Sequence, residues 1–287
     1  MSNRIPVLKT YKTYVGGKFP RSESGKTYPV KNSKNETIAH ACRCTRKDVR
    51  DAVLAAKSAF PGWQNRTAYN RGQILYRMAE MLEGRKSQFV EELALAGGKE
   101  KQAAKEVEAA IDRFIYYAGW TDKIAQVFGT INPVASSHFN FSSPEPTGIV
   151  AILSPESHPL LSVVSLVAPV IAGGNSCVLL APESNPLPAV SLGEVLLSSD
   201  LPGGVVNILS GYHSEMAGNL SSHMDVNAVF NSSDDHSLRK LIDENASISV
   251  KRVKHYTPED WHSHTVEDPY LIQEFMEIKT TWHPVGM

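Results

Sequence analysis

From Gly148 onward the chain alternates short apolar runs with stretches of helical period, and this rhythm narrows the fold more than any other feature. Ile149-Val-Ala-Ile-Leu, Cys177-Val-Leu-Leu, Val205-Val-Asn-Ile-Leu and Ala228-Val-Phe are continuous apolar runs. Runs of that kind are expected of strands buried on both faces of a sheet. Helical stretches over 160–171, 187–197, 215–220 and 235–245 separate them, and Val250 to Val253 offers a fifth strand. The alternation specifies an α/β fold: an open, doubly wound parallel sheet with helices on both faces. Glycine pairs at 173–174 and 203–204 fall where helices stop and strands start, positions that favour φ > 0.

The first 129 residues read differently. Ile38-Ala-His-Ala-Cys-Arg-Cys alternates as a strand does, and Tyr14-Val-Gly-Gly-Lys opens a shorter one. Thr45 with Asp48 marks a helix start. Val49, Ala52, Val53, Ala56 and Phe60 follow at helical spacing, with Pro61-Gly62 as the expected stop. Further helical patterns begin at Asn70, Ser87 and Glu100. Thr130 to Pro146 is rich in Ser, Pro and Asn and reads as an extended arm or hairpin. Glu274 to Trp282 alternates as an edge strand and can join that arm in a small separate sheet. His255 to Pro269 is polar and turn-rich.

Charge removes some function classes. Lys plus Arg number 29 and Asp plus Glu 30 in 287 residues, so there is no basic field for nucleic acid or an anionic membrane. Small molecules or proteins are the expected partners. Three cysteines make no disulfide framework, and the N-terminus has no apolar signal core. The apolar stretch from Leu160 to Ala172 is too short to span a bilayer. The expectation is a reduced, cytoplasmic protein.

Local motifs supply little chemistry. The chain has no Gly-x-Gly-x-x-Gly, no phosphate-binding Gly-x-x-x-x-Gly-Lys and no Gly-x-Ser-x-Gly. Ligands of doubly wound sheets sit beyond the C-terminal strand ends. Those ends here gather Ser157, His158, Glu183, His213, Ser232, Ser233 and Asp234. The same residues serve equally well as caps of the following helices. His255, His262, His264 and His283 match no closed zinc spacing, so no metal site is assigned. Cys177 belongs to a buried strand. Cys42 and Cys44 are the remaining candidates for a reactive thiol.

Several longer segments resemble one family. Ala168-Pro-Val-Ile-Ala-Gly-Gly-Asn-Ser-Cys-Val-Leu, Leu201-Pro-Gly-Gly-Val-Val-Asn-Ile-Leu-Ser-Gly, Pro146-Thr-Gly-Ile-Val and Phe275-Met-Glu-Ile-Lys-Thr-Thr-Trp occur in the order seen in the aldehyde dehydrogenase superfamily. The resemblance runs from about Tyr14 to Val253, then resumes from Tyr270 to Pro284. It implies a nucleotide-binding-type α/β domain over 1–129 and 147–254. It also implies an oligomerisation arm and strand over 130–146 plus 268–287, with a linker at 255–267 in place of the catalytic domain.

The departures from the family pattern bear on activity. The family's Pro-Trp-Asn-Phe-Pro is here Pro155-Glu-Ser-His-Pro, which puts Ser157 at the oxyanion-hole asparagine. Its Lys-Pro-x-Glu keeps the acid as Glu183, with Leu180 at the lysine. Its Thr-Gly-Ser-Thr is Asn231-Ser-Ser-Asp. The resemblance thus implies vestigial cofactor contacts at Pro155, Ser157, Glu183 and Ser233 for a weakened NAD or NADP. No Leu-Glu-Leu-Gly-Gly base segment and no Gly-Gln-x-Cys nucleophile segment is present, so no catalytic residue is assigned. Such a chain resembles the second, non-catalytic module of two-module aldehyde dehydrogenases. The expectation is an inactive structural or regulatory subunit, forming a homo-oligomer or a hetero-oligomer with a full-length aldehyde dehydrogenase. Apolar sheet surface bared by the missing domain should need such a partner. The alternatives are an NAD(P)-binding sensor, or an oxidoreductase with residual chemistry rearranged onto Cys42 or Cys44.

Overall fold

The computed structural model describes residues 7–286. The first six residues of the expected 1–129 segment, and Met287, lie outside the described residues. A small sheet comes first, formed by β1 (Thr10–Tyr11), β2 (Thr27–Lys31) and β3 (Thr37–Cys42) in the order β1-β3-β2. Tyr14 makes a single bridge to Ile208, not the continuous strand expected there.

A helical layer follows: α1 (Arg46–Gln64), α2 (Ala68–Glu83), α3 (Lys86–Leu95), α4 (Glu100–Trp120) and the short α5 (Ile124–Phe128). The Thr45 N–H donates to Asp48 Oδ2 at 2.7 Å, one half of the capping box that starts α1. The helix does not stop at Pro61-Gly62. Trp63 is fully buried, and its indole N–H donates to the Ile171 carbonyl at 3.0 Å. That anchor holds the last turn helical although Pro61 supplies no N–H of its own.

Next come the arm strands β4 (Thr130–Asn132) and β5 (His138–Pro146). The main sheet and its crossovers are β6 (Ile149–Leu153), α6 (Leu161–Ala172), β7 (Ser176–Leu180), α7 (Leu187–Ser198), β8 (Val206–Leu209), α8 (His213–Ser222), β9 (Ala228–Asn231), α9 (His236–Ser249) and β10 (Arg252–His255). The strands are all parallel, in the order β10-β9-β6-β7-β8. The second glycine of each α–β turn, Gly174 and Gly204, has φ of 95° and 98°, which only glycine adopts at little cost.

Side chains alternate across this sheet. Val150, Ile152, Cys177 and Leu179 join one core with α2, α4, α6 and α7. Ile149, Ala151, Leu153, Val178 and Leu180 join the other with α1, α8 and α9. The sheet is therefore doubly wound, as its sequence rhythm requires.

After β10 the chain does not leave bare apolar surface as expected. Trp261 is only 4% exposed and stands edge-on to Tyr256. Arg113, 2% exposed on α4, donates to the Trp261 carbonyl at 3.2 Å and to Ser165 Oγ at 3.1 Å. The Tyr117 hydroxyl donates to the Asp268 carbonyl at 3.2 Å. These polar ties let a turn-rich segment bury Trp261, Val266, Leu271, Ile272 and Phe275 in the core. The chain ends its described part with α10 (Tyr270–Gln273) and β11 (Met276–Pro284). Strand β11 pairs antiparallel with β5 from Met276↔Pro146 to Pro284↔His138, so the arm and the last strand form one three-stranded sheet.

Candidate functional site

The connections leave β6 toward β7 on one side and β9 lies on the other, so the switch point of the sheet falls between β6 and β9. Crevices form there because the two following loops diverge. A cleft of about 600 Å³ opens at this place, lined by Pro155 and Glu156 after β6, Glu183 after β7, Tyr212 after β8, and Ser233 and Asp234 after β9. Tyr28 and Lys31 of β2 close its far wall. A groove of about 730 Å³ between α2 and α4 is larger but lies away from the strand ends.

Carboxylates of the chain occupy the N–H groups around this cleft. Glu156 accepts from the Glu183 and Ser184 backbone N–H groups at 2.8 and 2.9 Å, and from Ser184 Oγ at 2.5 Å. Glu183 Oε1 accepts from the His213 N–H at 2.7 Å, at the first turn of α8. Asp235 caps α9 by accepting from the Ser237 N–H at 2.8 Å and the Leu238 N–H at 3.4 Å. Asp234 lines the same opening.

Of the sequence-derived positions, Pro155, Glu183 and Ser233 lie together on the cleft. Ser157 is exposed and is not part of its lining. Ser232 is buried, with its hydroxyl donating to the Tyr256 carbonyl at 2.5 Å. His213 is buried, with Nε2 2.9 Å from the Ala181 carbonyl. Sequence reading passed over Glu156, although it stands beside Ser157. Tyr28 and Lys31 carried no local signal, since a distant strand delivers them.

None of the three thiols lines this cleft. Cys42, Cys44 and Cys177 are all buried and free. Burial pushes the Cys44 and Cys177 thiols well above their ordinary value, which disfavours the reactive thiolate. Among the described residues, no three His, Cys, Asp or Glu side chains are grouped as metal ligands.

Residues 19–255 match the model of the aldehyde dehydrogenase family. The chain belongs to this family. Retinal dehydrogenase 2 of Homo sapiens is 32% identical over 254 residues, 86% of this chain and 48% of its own length. Aldehyde dehydrogenase family 2 member B4, mitochondrial, of Arabidopsis thaliana is 35% identical over 220 residues, 75% of this chain and 40% of its own. The solved NAD+ complex of an aldehyde dehydrogenase from Bacillus cereus superposes with a TM-score of 0.80 at 26% identity, covering 85% of this chain and 50% of that one. The chain thus spans about half the length of the relatives it matches, and shares the Rossmann-like α/β fold of that solved structure.

The residues on the cleft do not suit a dinucleotide's pyrophosphate. Helix starts in such sheets ordinarily offer free N–H groups to phosphate oxygens. Here Glu183 holds the N–H of His213 at the start of α8, and Asp235 holds those at the start of α9. Glu156 and Asp234 add further negative charge to the same opening, and like charges repel within a Debye length.

Proposed function

We propose that this aldehyde dehydrogenase family chain is a non-catalytic, structural or regulatory subunit that works in the cytoplasm with a complete aldehyde dehydrogenase. The observation that carries the proposal is the packed segment between β10 and β11. It runs straight from the nucleotide-binding-type sheet to the arm sheet and contains neither the base segment nor the nucleophile segment. The partner half of the proposal is supported by the arm sheet, where Ile131, Phe139, Ile278 and Trp282 stand exposed. Exposed apolar side chains gathered on one small sheet favour association. No helix among the described residues is long and apolar enough to cross a membrane.

The two alternative roles draw less support. The carboxylate-filled cleft opposes a dinucleotide sensor, and the buried thiols oppose a rearranged oxidoreductase. The test is aldehyde-dependent NAD(P)H formation by the purified chain. The expected rate equals that of an enzyme-free control. Turnover that persists through purification to homogeneity would overturn the non-catalytic reading.

A further inference from the structure

A second cleft, of about 710 Å³, opens on the other side of Glu156. Its polar lining includes Gln102 and Glu106 of α4, Glu156 and His158 after β6, Asn185 before α7, and Asp260 and His262 from the segment after β10. Exposed Lys105 is the one lysine or arginine among the lining residues. Three carboxylates therefore face it.

Several acceptors here lack donors. Glu106 is 8% exposed, and its Oε1 accepts the N–H groups of Leu160 and Leu161 at 2.9 and 3.2 Å, at the start of α6. Its Oε2 has no hydrogen-bond donor among the described residues and is not fully buried, so it is open to the cleft it lines. Burial raises the Glu106 pKa above its ordinary value, so a neighbouring cation would relieve the cost of its charge. Asn185 is 9% exposed, and its Oδ1 is buried with no donor. His158 Nδ1 is buried and unpartnered as well. Its residue has φ of 51°, a region that non-glycine residues rarely enter. Strain of this kind concentrates at ligand sites. The ring stands edge-on to His262, with centroids 5.2 Å apart.

A buried acceptor without a donor, as at Asn185 Oδ1, is uncommon in folded proteins and calls for an explanation. We propose that this cleft binds the primary ammonium group of a small organic amine, with Glu106 Oε2 and Asn185 Oδ1 as acceptors and Asp260 and Glu156 as counter-charges. An ammonium carries three donors and no acceptor, which matches the unpaired Glu106 Oε2 and Asn185 Oδ1. A bare metal ion fits less well, because no three ligating side chains are grouped among the described residues. An anion would meet three carboxylates. The site is separate from the proposed partner role and does not depend on it.

Titration calorimetry of the full chain with diaminobutane, and with butanediol as the uncharged isostere, tests this. The expected result is saturable one-site binding of the diamine and none of the diol. Glu106→Gln keeps an acceptor for the α6 N–H groups, and Asp260→Asn keeps one for the His262 N–H. Each should weaken diamine binding roughly tenfold, the size of a lost charge-assisted contact. Asp260 is exposed, so its variant tests the site even if Glu106→Gln fails to fold. Absence of diamine binding, equal binding of the diol, or unchanged affinity in Asp260→Asn would overturn the proposal.

Discussion

Glu183 accepts the backbone N–H of His213 at 2.7 Å. The acid that the family resemblance assigns to cofactor contact is here tied to the start of α8. The contact makes Glu183 a cap of that helix, and the same theme recurs with Asp235 on α9 and Glu156 on the turn after β7.

If Glu183 is a cap, it contributes to stability. Glu183→Ala should lower the unfolding free energy by about 1 kcal/mol, as losing an N-terminal cap does. Urea unfolding measures this. An unchanged midpoint and slope would show that the contact with His213 contributes nothing.

The carboxylates should be what excludes a dinucleotide. Asn at 234 and 235 and Gln at 156 neutralise the opening, and Asn still caps a helix. The combined Glu156→Gln, Asp234→Asn, Asp235→Asn variant should bind NAD+ roughly tenfold or more tightly than wild type at low salt. Calorimetry gives the comparison. Tight binding by the wild type, or no gain in the variant, would remove the charge argument.

The segment after β10 should be a stable part of the fold. Trp261→Ala deletes a large buried side chain and should cost about 3–5 kcal/mol. Amide exchange should quicken over 256–275 first, since that stretch depends on Trp261 and on the ties from Arg113 and Tyr117. Exchange rates unchanged there would mean that the segment is held by other contacts.

Glu92 links stability to pH. Its Oε1 accepts from the Tyr11 hydroxyl at 3.0 Å and the Ser191 hydroxyl at 2.8 Å, while Oε2 is buried without a donor. Burial, partly offset by these hydrogen bonds, raises its pKa above the ordinary 4.5. The folded state then holds the proton more firmly than the unfolded chain. Its stabilising contribution is full below pH 4.5 and is lost as pH rises through the raised folded value. Glu92→Gln cannot titrate, so the variant should gain stability relative to wild type as pH rises across that window. Urea unfolding at a series of pH values checks it, and a difference independent of pH would contradict the linkage.

The parallel sheet was legible because both of its faces are buried, which writes each strand as an unbroken apolar run such as Ile149 to Leu153. The arm and last strand were legible from alternation, and β5 and β11 do pair. Three features were not legible, each for a tertiary reason. Helix α1 continues past Pro61 because Trp63 finds a carbonyl on α6. The polar segment after β10 packs because Arg113, far away in sequence, meets its carbonyl. The cleft's character rests on which N–H group each carboxylate reaches, and sequence spacing does not encode that. Thus Glu183 and Ser233 were found as neighbours, while Glu156 and Tyr28 were not.

The central claim is that this chain assembles with a complete aldehyde dehydrogenase. Native mass spectrometry of the protein isolated from its own host at natural abundance tests it most directly. The account predicts a complex whose mass requires this chain together with a full-length aldehyde dehydrogenase subunit. A species containing only this chain would contradict it.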